Sequence, residues 1–293
     1  MKKIALLLIL MTSLSACAIW RTPPIARIAL LASFEGRYRE VGYTAIYPAR
    51  LALRDAGVSH LELVAVDDGG TPQTAQARAR ALALDDSIKV VMVMGYDSAD
   101  SRVLEALADL PVIVIGEWAT TPIYEHIFIV SNSQIPEMLS YDGRLDITAS
   151  LETPFQGGDA FGLFAYADLY NQTRPLPHVQ IVTSGAFAPF EFRERLLASD
   201  IYVPQPSYLS TTVYDATRLL AQVIANADMS RQAVADTIRS VDYMGEWVGR
   251  IRFGDDGYWA DAPLYTYVYA DNQYDGYELM HNSAMVIDIP PNR

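Results

Sequence analysis

Four apolar runs open the chain, each ending in polar or glycine-rich residues and each followed by a helical pattern: IARIALLA (Ile25–Ala32), LELVAV (Leu61–Val66), IKVVMVM (Ile88–Met94) and PVIVIG (Pro111–Gly116). Continuous apolar runs of this length predict strands buried on both faces, the habit of a parallel sheet covered by helices. Between the first two, Val41, Ala45, Ala49, Ala52 and Ala56 recur every three or four residues, which predicts an amphipathic helix over Arg39–Ala56 with a small-residue face on the sheet. Pro48 falls inside it. An interior proline costs a helix ~3 kcal/mol, so either a kink or a later start is implied. Thr71 and Pro72 read as an N-cap hydroxyl and a first-turn proline for a helix over Gln73–Leu84. Ser98 or Ser101 is placed to cap a short helix over Arg102–Leu107.

The pattern continues with a short strand within His126–Asn132. A strand end, a Gly-Gly turn and a helix follow within Thr153–Gln172, then a strand within His178–Phe187. Pro206–Ala227 predicts a long helix with Val213, Ala216, Leu220, Val223 and Ile224 on one face, and Ser230 caps another over Gln232–Val241. Near the end an Asp-Asp-Gly turn and the alternating Leu264, Thr266 and Val268 predict a hairpin and a strand. Tyr258, Trp259, Tyr265, Tyr267 and Tyr269 offer an aromatic clamp, with ordinary sheet packing as the default use of strand aromatics. In an open parallel sheet, ligands sit beyond the carboxyl ends of the strands. The loops SFEG, DDGGTP, GYDSADS and EWATTP are therefore the first place to look for function.

Composition narrows the class. With 293 residues, 51% hydrophobic and 19% charged, the chain is long enough for one large or two modest domains and is not disordered in general. A formal net charge of −13 argues against nucleic acid or anionic lipid as a partner. The first residues read as a leader: Lys2 and Lys3, then the apolar Ile4–Met11, too short for the ~20 residues that span a bilayer. Leu14-Ser15-Ala16-Cys17 resembles a bacterial lipobox, which implies cleavage before Cys17 and a diacylglycerol on its thiol. Loss of Lys2 and Lys3 with residues 1–16 would take the charge from −13 to −15. Cys17 is the one cysteine, so no disulfide is available. Ala18–Pro24 reads as a short tether stiffened by two prolines.

The chemistry offered by the loops is binding rather than catalysis. Asp67 and Asp68 would serve as acid/base groups or a cation site, or more simply as solvated carboxylates that shape a turn. Tyr96, Ser98 and Ser101 lie where a helix N-terminus would receive a carboxylate or phosphate, or where serine simply caps the helix. Trp118 is either a pocket wall or core. Four scattered histidines give no metal-ligand spacing, and no phosphate-binding loop or serine-nucleophile elbow occurs, so no metal, cofactor or enzymatic activity is expected.

In order and spacing, IALLASFEGRYREVG, LELVAVDDGGTP, VVMVMGYDSADS and PVIVIGEWATTP resemble the amino-terminal lobe of type I periplasmic substrate-binding proteins. The resemblance is to the branched-chain amino acid (leucine/isoleucine/valine) binding group of ABC importers. The family's D-D-x-x-x-x-P motif falls on Asp67, Asp68 and Pro72, its G-x-x-S-S loop on Gly95, Ser98 and Ala99, and its A-T-x-P loop on Ala119, Thr120 and Pro122. The resemblance implies an α/β fold of two lobes, each a mainly parallel sheet flanked by helices, with the second lobe reduced. It places the first lobe at 25–132 plus about 204–250, and the shortened second lobe and hinge return at about 133–203 plus about 251–293.

It also implies that Ser98, Ala119 and Thr120 hold a small ligand's carboxylate, beside Tyr96 and Trp118. Ser184 stands where the family has a glutamate for the ligand's ammonium group. The usual carboxylate-binding serine falls on Ala99, and an aromatic wall falls on Val41. The implied function is a lipid-anchored extracytoplasmic solute-binding protein that delivers an amino acid or amide-like ligand to a membrane permease. The alternative is a lipoprotein that reuses the fold for sensing or protein contacts. An enzyme relying on Asp67, Asp68 and Asp97 ranks below both, since fold does not fix function.

Overall fold

The computed structural model describes residues 24–118, 124–139, 155–162, 179–226, 230–268 and 287–288. The four opening runs form β1 (Ala26–Ala32), β2 (Leu61–Asp67), β3 (Ile88–Met94) and β4 (Val112–Ile115), joined by β5 (Ile127–Val130). They pair in the order β2-β1-β3-β4-β5, every pair parallel. The near-continuous burial of β1, β3, β4 and β5 explains their unbroken apolar sequences: both faces are covered. β2 is the edge strand and is only partly buried, which accounts for its interleaved Glu62.

The helices between the strands are α1 (Arg39–Ala56), α2 (Pro72–Leu84) and the six-residue α3 (Ser101–Ala106). Helix α1 runs from Arg39 with buried Pro48 inside it, so the later start does not occur. Its Gly42 packs hard against the turn after β1. A Cβ at this position would lie 2.5 Å from the Ser33 carbonyl oxygen and 2.7 Å from Phe34 Cδ1. Gly42→Ala is therefore expected to destabilise the fold by about 1–3 kcal/mol through overpacking, measured as a lower urea midpoint at unchanged slope. Helix α2 is capped as foreseen, with the Thr71 hydroxyl accepting from Thr74 N–H. Helix α3 is not: neither Ser98 nor Ser101 caps it. The Asp100 carboxylate does, accepting from Arg102 N–H at 3.0 Å, because a charged acceptor suits a helix N-terminus better than a hydroxyl.

Beyond β5 come the single turn α4 (Ile135–Met138), β6 (Phe155–Gly157) with a 3-10 turn at Asp159–Gly162, and β7 (Val179–Thr183). Three helices follow: α5 (Phe190–Leu197), α6 (Ser210–Asn226) and α7 (Arg231–Arg239). Helix α6 starts at Ser210, four residues later than its apolar pattern promises. Tyr208, just before it, is buried and donates instead to the Asp159 carbonyl oxygen at 2.6 Å. Helix α6 packs on α1, and α7 on α6 and β3. The Ser230 cap of α7 is as foreseen. The Arg231 guanidinium donates to the carbonyls of Ala83, Asp85 and Ile88, placing a cation at the carboxyl end of α2.

The remaining strands are β8 (Tyr243–Met244), β9 (Arg250–Ile251), β10 (Tyr265–Val268) and β11 (Ile287–Asp288). The second sheet has the order β11-β10-β7-β6. It is mixed: β6 and β7 are parallel, but β10 returns antiparallel between β7 and β11. The Asp-Asp-Gly turn does form, closed by the Phe253–Trp259 bridge. Its far side pairs with β5, since Ile129 N–H donates to Gly257 O and Trp259 N–H to Ile129 O, each at 2.8 Å. The turn thereby covers an otherwise open sheet edge. Among the described residues no helix is long and apolar enough to cross a membrane.

Candidate functional site

The strand order 2-1-3-4-5 reverses direction at β1, so the crevice at the carboxyl ends of β1 and β3 is where a ligand is received in such sheets. Ser33, Asp67, Asp68 and the Gly95–Ser98 turn all lie there. They are bound to one another. One Asp68 oxygen, Oδ2, accepts from Ser33 Oγ at 2.7 Å and from Ser98 Oγ at 3.0 Å, while Oδ1 accepts from Gly70 N–H at 2.9 Å. Asp67 accepts from the N–H groups of Phe34 and Gly69. Asp67 thus shapes a turn, as the simpler reading had it, but Asp68 is not solvated: it is fully buried and stitches three loops together. A buried carboxylate is tolerated when it is this well supplied with donors.

The second part of the site is formed where the loops after β4 and β5 meet those after β6 and β7. Gly116, at the end of β4, has φ of 86°, and a Cβ there would lie 2.7 Å from Asp159 Oδ2. Glycine therefore lets the Glu117 backbone approach the acid, and Glu117 N–H donates to Asp159 Oδ2 at 2.5 Å. The other oxygen, Asp159 Oδ1, accepts from Thr183 Oγ1 at 2.6 Å. Asp159 has no exposed surface and its carboxyl is pushed up to about 6, burial outweighing the hydrogen bonds it receives. Glu117 is 3% exposed and is pushed further, to about 8, by burial first and by Asp159 second. Glu117 Oε2 is buried with no hydrogen-bond partner. Burial also raises the nearby Tyr258 phenol, and the charge of Glu117 adds to it.

The expected site residues are distributed as follows. Tyr96 and Trp118 touch edge-on, ring centres 6.0 Å apart, and Tyr38 continues the aromatic row on the other side of Tyr96. Trp118 is buried, its indole N–H donating to Ile115 O at 2.7 Å. Ser98 is committed to Asp68. Ser184 Oγ accepts from Asn132 N–H at 2.8 Å, joining the β7 and β5 loops. Ala119, Thr120 and Cys17 lie outside the described residues. Of the tail aromatics within the described residues, Tyr267 donates to Gly185 O and packs against Phe187 and Tyr208, while Trp259 donates to Arg250 O. Both are structural. Sequence reasoning passed over Asp159 altogether and treated Glu117 only as part of a loop. For Glu117 the available signal was an acid placed directly after an apolar strand and a glycine; Asp159 follows only the short Phe-Gln-Gly-Gly stretch, and nothing local marks it.

One open groove of about 490 Å³, lined in part by Tyr47, Arg50, Arg54, Leu61 and Asp200, lies at the amino end of β2, opposite the strand ends just described. Among the described residues no group of three or more histidine, cysteine or acidic side chains is placed to hold a metal ion.

No protein-family model matches the chain, and no curated protein does. Solved structures match it over most of their length. A possible leucine/isoleucine/valine-binding protein from Rhodopirellula baltica superposes with a TM-score of 0.66 at 11% identity, covering 91% of this chain and 98% of that one. LivJ, the branched-chain amino acid transporter substrate-binding protein of Streptococcus pneumoniae, solved with isoleucine, gives 0.62 at 14%, covering 90% and 100%. A solute-binding protein of an R. palustris ABC transporter, solved with benzoate, gives 0.58 at 14%, covering 90% and 98%. The chain has the type I periplasmic binding fold. In this type I fold the loops after β4 and β5 face those after β6 and β7 directly, through Glu117–Asp159 and Asn132–Ser184.

Proposed function

We propose that the chain is an extracytoplasmic solute-binding protein of an ABC importer, anchored by lipid on Cys17 and docking on a membrane permease. It takes a small polar ligand, an amino acid or amide-like molecule, between a first lobe of 25–132 plus about 204–250 and a shortened second lobe. The observation that carries this reading is the meeting of strand-end loops from two separate sheets on a type I fold. Ligand contacts to both sides would shift the population toward the closed arrangement. The similar structures were solved with isoleucine, leucine or benzoate, so the fold accommodates small ligands of more than one class. Ser98, Ala119, Thr120, Tyr96, Trp118 and Ser184 remain the proposed ligand neighbours.

A second reading has its own support: Ser98 and Ser184 already satisfy protein groups, as a chain that has exchanged its ligand for sensing or protein contacts would show. Thermal unfolding of the Cys17→Ser chain against amino acids, amides, aromatic acids and sugars decides between them. A ligand at a hundred times its Kd is expected to stabilise by about 2.7 kcal/mol. Silence across the whole panel would remove the importer reading and leave the second.

A further inference from the structure

Glu117 and Asp159 are the feature the fold alone does not explain. Two acids 42 positions apart are brought together at the junction of the two sheets, and both are withdrawn from water. Asp159 is saturated: Glu117 N–H and Thr183 Oγ1 occupy its two oxygens, and its carbonyl receives Tyr208. Glu117 is not. Its backbone is bound to Asp159 while its carboxyl, facing Asp159 and Tyr258, keeps one buried oxygen without a partner. An unsatisfied buried acceptor costs about 1–3 kcal/mol, and an uncompensated buried charge costs more. Structural carboxylates in this chain do not look like this: Asp68 and Asp215 have both oxygens bound.

We propose that Glu117, backed by Asp159, recognises a cationic nitrogen on the ligand, an ammonium or guanidinium donating to the free Glu117 oxygen. This rests on the solute-binding reading above and names the chemistry its ligand must carry. The positions agree. Glu117 immediately precedes Trp118 at the strand ends, the hydrogen bonds joining its loop to the β6 loop are among those that parting of the two sheets would break, and Ser184, at the position where the resemblance places an acid, carries no charge. A positive donor at Glu117 forms a charge-assisted bond and cancels the repulsion between the acids. A neutral donor leaves that repulsion in place, and an anionic ligand adds to it. The same chemistry is present in an amino acid and in a simple amine, and the two are told apart by whether the carboxylate is also needed.

The test is calorimetry of the purified full chain at pH 7 with each amino acid, its decarboxylated amine and its deaminated acid, with amides and sugars alongside, run in two buffers of different ionisation enthalpy. Compounds with a cationic nitrogen are expected to bind and to release up to about one proton, as the proton held on Glu117 is displaced. Deaminated acids and neutral amides are expected not to bind. Glu117→Gln is expected to abolish the proton release and weaken binding about 30- to 100-fold, with Asp159 and Tyr258 unchanged. Binding of a neutral or anionic compound as strong as its cationic counterpart, with no proton released, overturns the proposal and leaves the solute-binding reading standing. Binding by nothing in the set overturns both. The comparison on the unaltered chain decides the matter even where Glu117→Gln fails to fold.

Discussion

Raising the pH from 5 to 9 is expected to cost the folded chain on the order of 3–5 kcal/mol at Glu117 alone, and Glu117→Gln is expected to remove that loss. The direction follows from burial. The folded chain holds the Glu117 proton up to about pH 8, against an ordinary value of 4.5, so the folded state binds it more tightly than the unfolded state does. The associated stability is complete below pH 4.5 and is lost as the pH rises through about 8. Asp159, raised from 3.8 to about 6, acts in the same direction at lower pH, and the two acids titrate as a pair. Urea unfolding at pH 5, 7 and 9, on the parent chain and on Glu117→Gln, measures the effect. A parent chain whose stability holds level or rises across that interval would contradict the burial of this pair. A slope that persists in Glu117→Gln would assign it to another group.

Asp215→Ala is expected to be the most destabilising single substitution in the first half of α6, by about 3–5 kcal/mol, with a fall in Tm of roughly 10 °C. Asp215 is fully buried on α6. One oxygen accepts from Glu246 N–H at 2.9 Å, and the other from Trp247 N–H at 2.7 Å and Val248 N–H at 2.8 Å. Burial nonetheless raises its carboxyl above the ordinary range, so desolvation is partly, not fully, offset by these donors. Alanine leaves three neighbouring N–H groups without their acceptor and opens space beside Gly245, where a Cβ would lie 2.6 Å from Asp215 Oδ2. Trp247, packed edge-on against Phe192 with ring centres 5.3 Å apart, reports on the loop. Its fluorescence is expected to shift to the red in the variant. An unchanged spectrum and a loss below 1 kcal/mol would mean that the loop holds its course without the carboxylate.

Much of the first sheet was legible. Apolar runs of four to eight residues, closed by serine, glycine or acids, have few alternatives to buried parallel strands, and α1 announced itself through alanines at helical spacing. Helix α5 was not legible. FEFRERLL is eight residues long with four charges, three of them consecutive at Arg193–Arg195, and it is held in place by Phe192 and Leu196 in the core and by Arg195, which pairs with Asp55 and Glu246. The strand β10 was visible, but its antiparallel course was not, because alternation along a strand does not record the direction of its neighbour. The site residues divide in the same way. Tyr96, Ser98, Trp118 and Ser184 were singled out because they sit in strand-end loops. That Ser98 is spent on Asp68, and Ser184 on Asn132, depends on partners 30 and 52 positions away.

What the sequence determined by itself was the sheet, the order of its strand–helix units and the end at which chemistry would gather, because periodicity and turn residues are local properties of the chain. Which hydroxyls remain available, and which acid is left with an empty oxygen, only the tertiary structure decided. Burial and hydrogen-bond satisfaction belong to pairs of groups that the fold brings together, and the Glu117–Asp159 pair exists only because Gly116 lets two loops from different sheets touch.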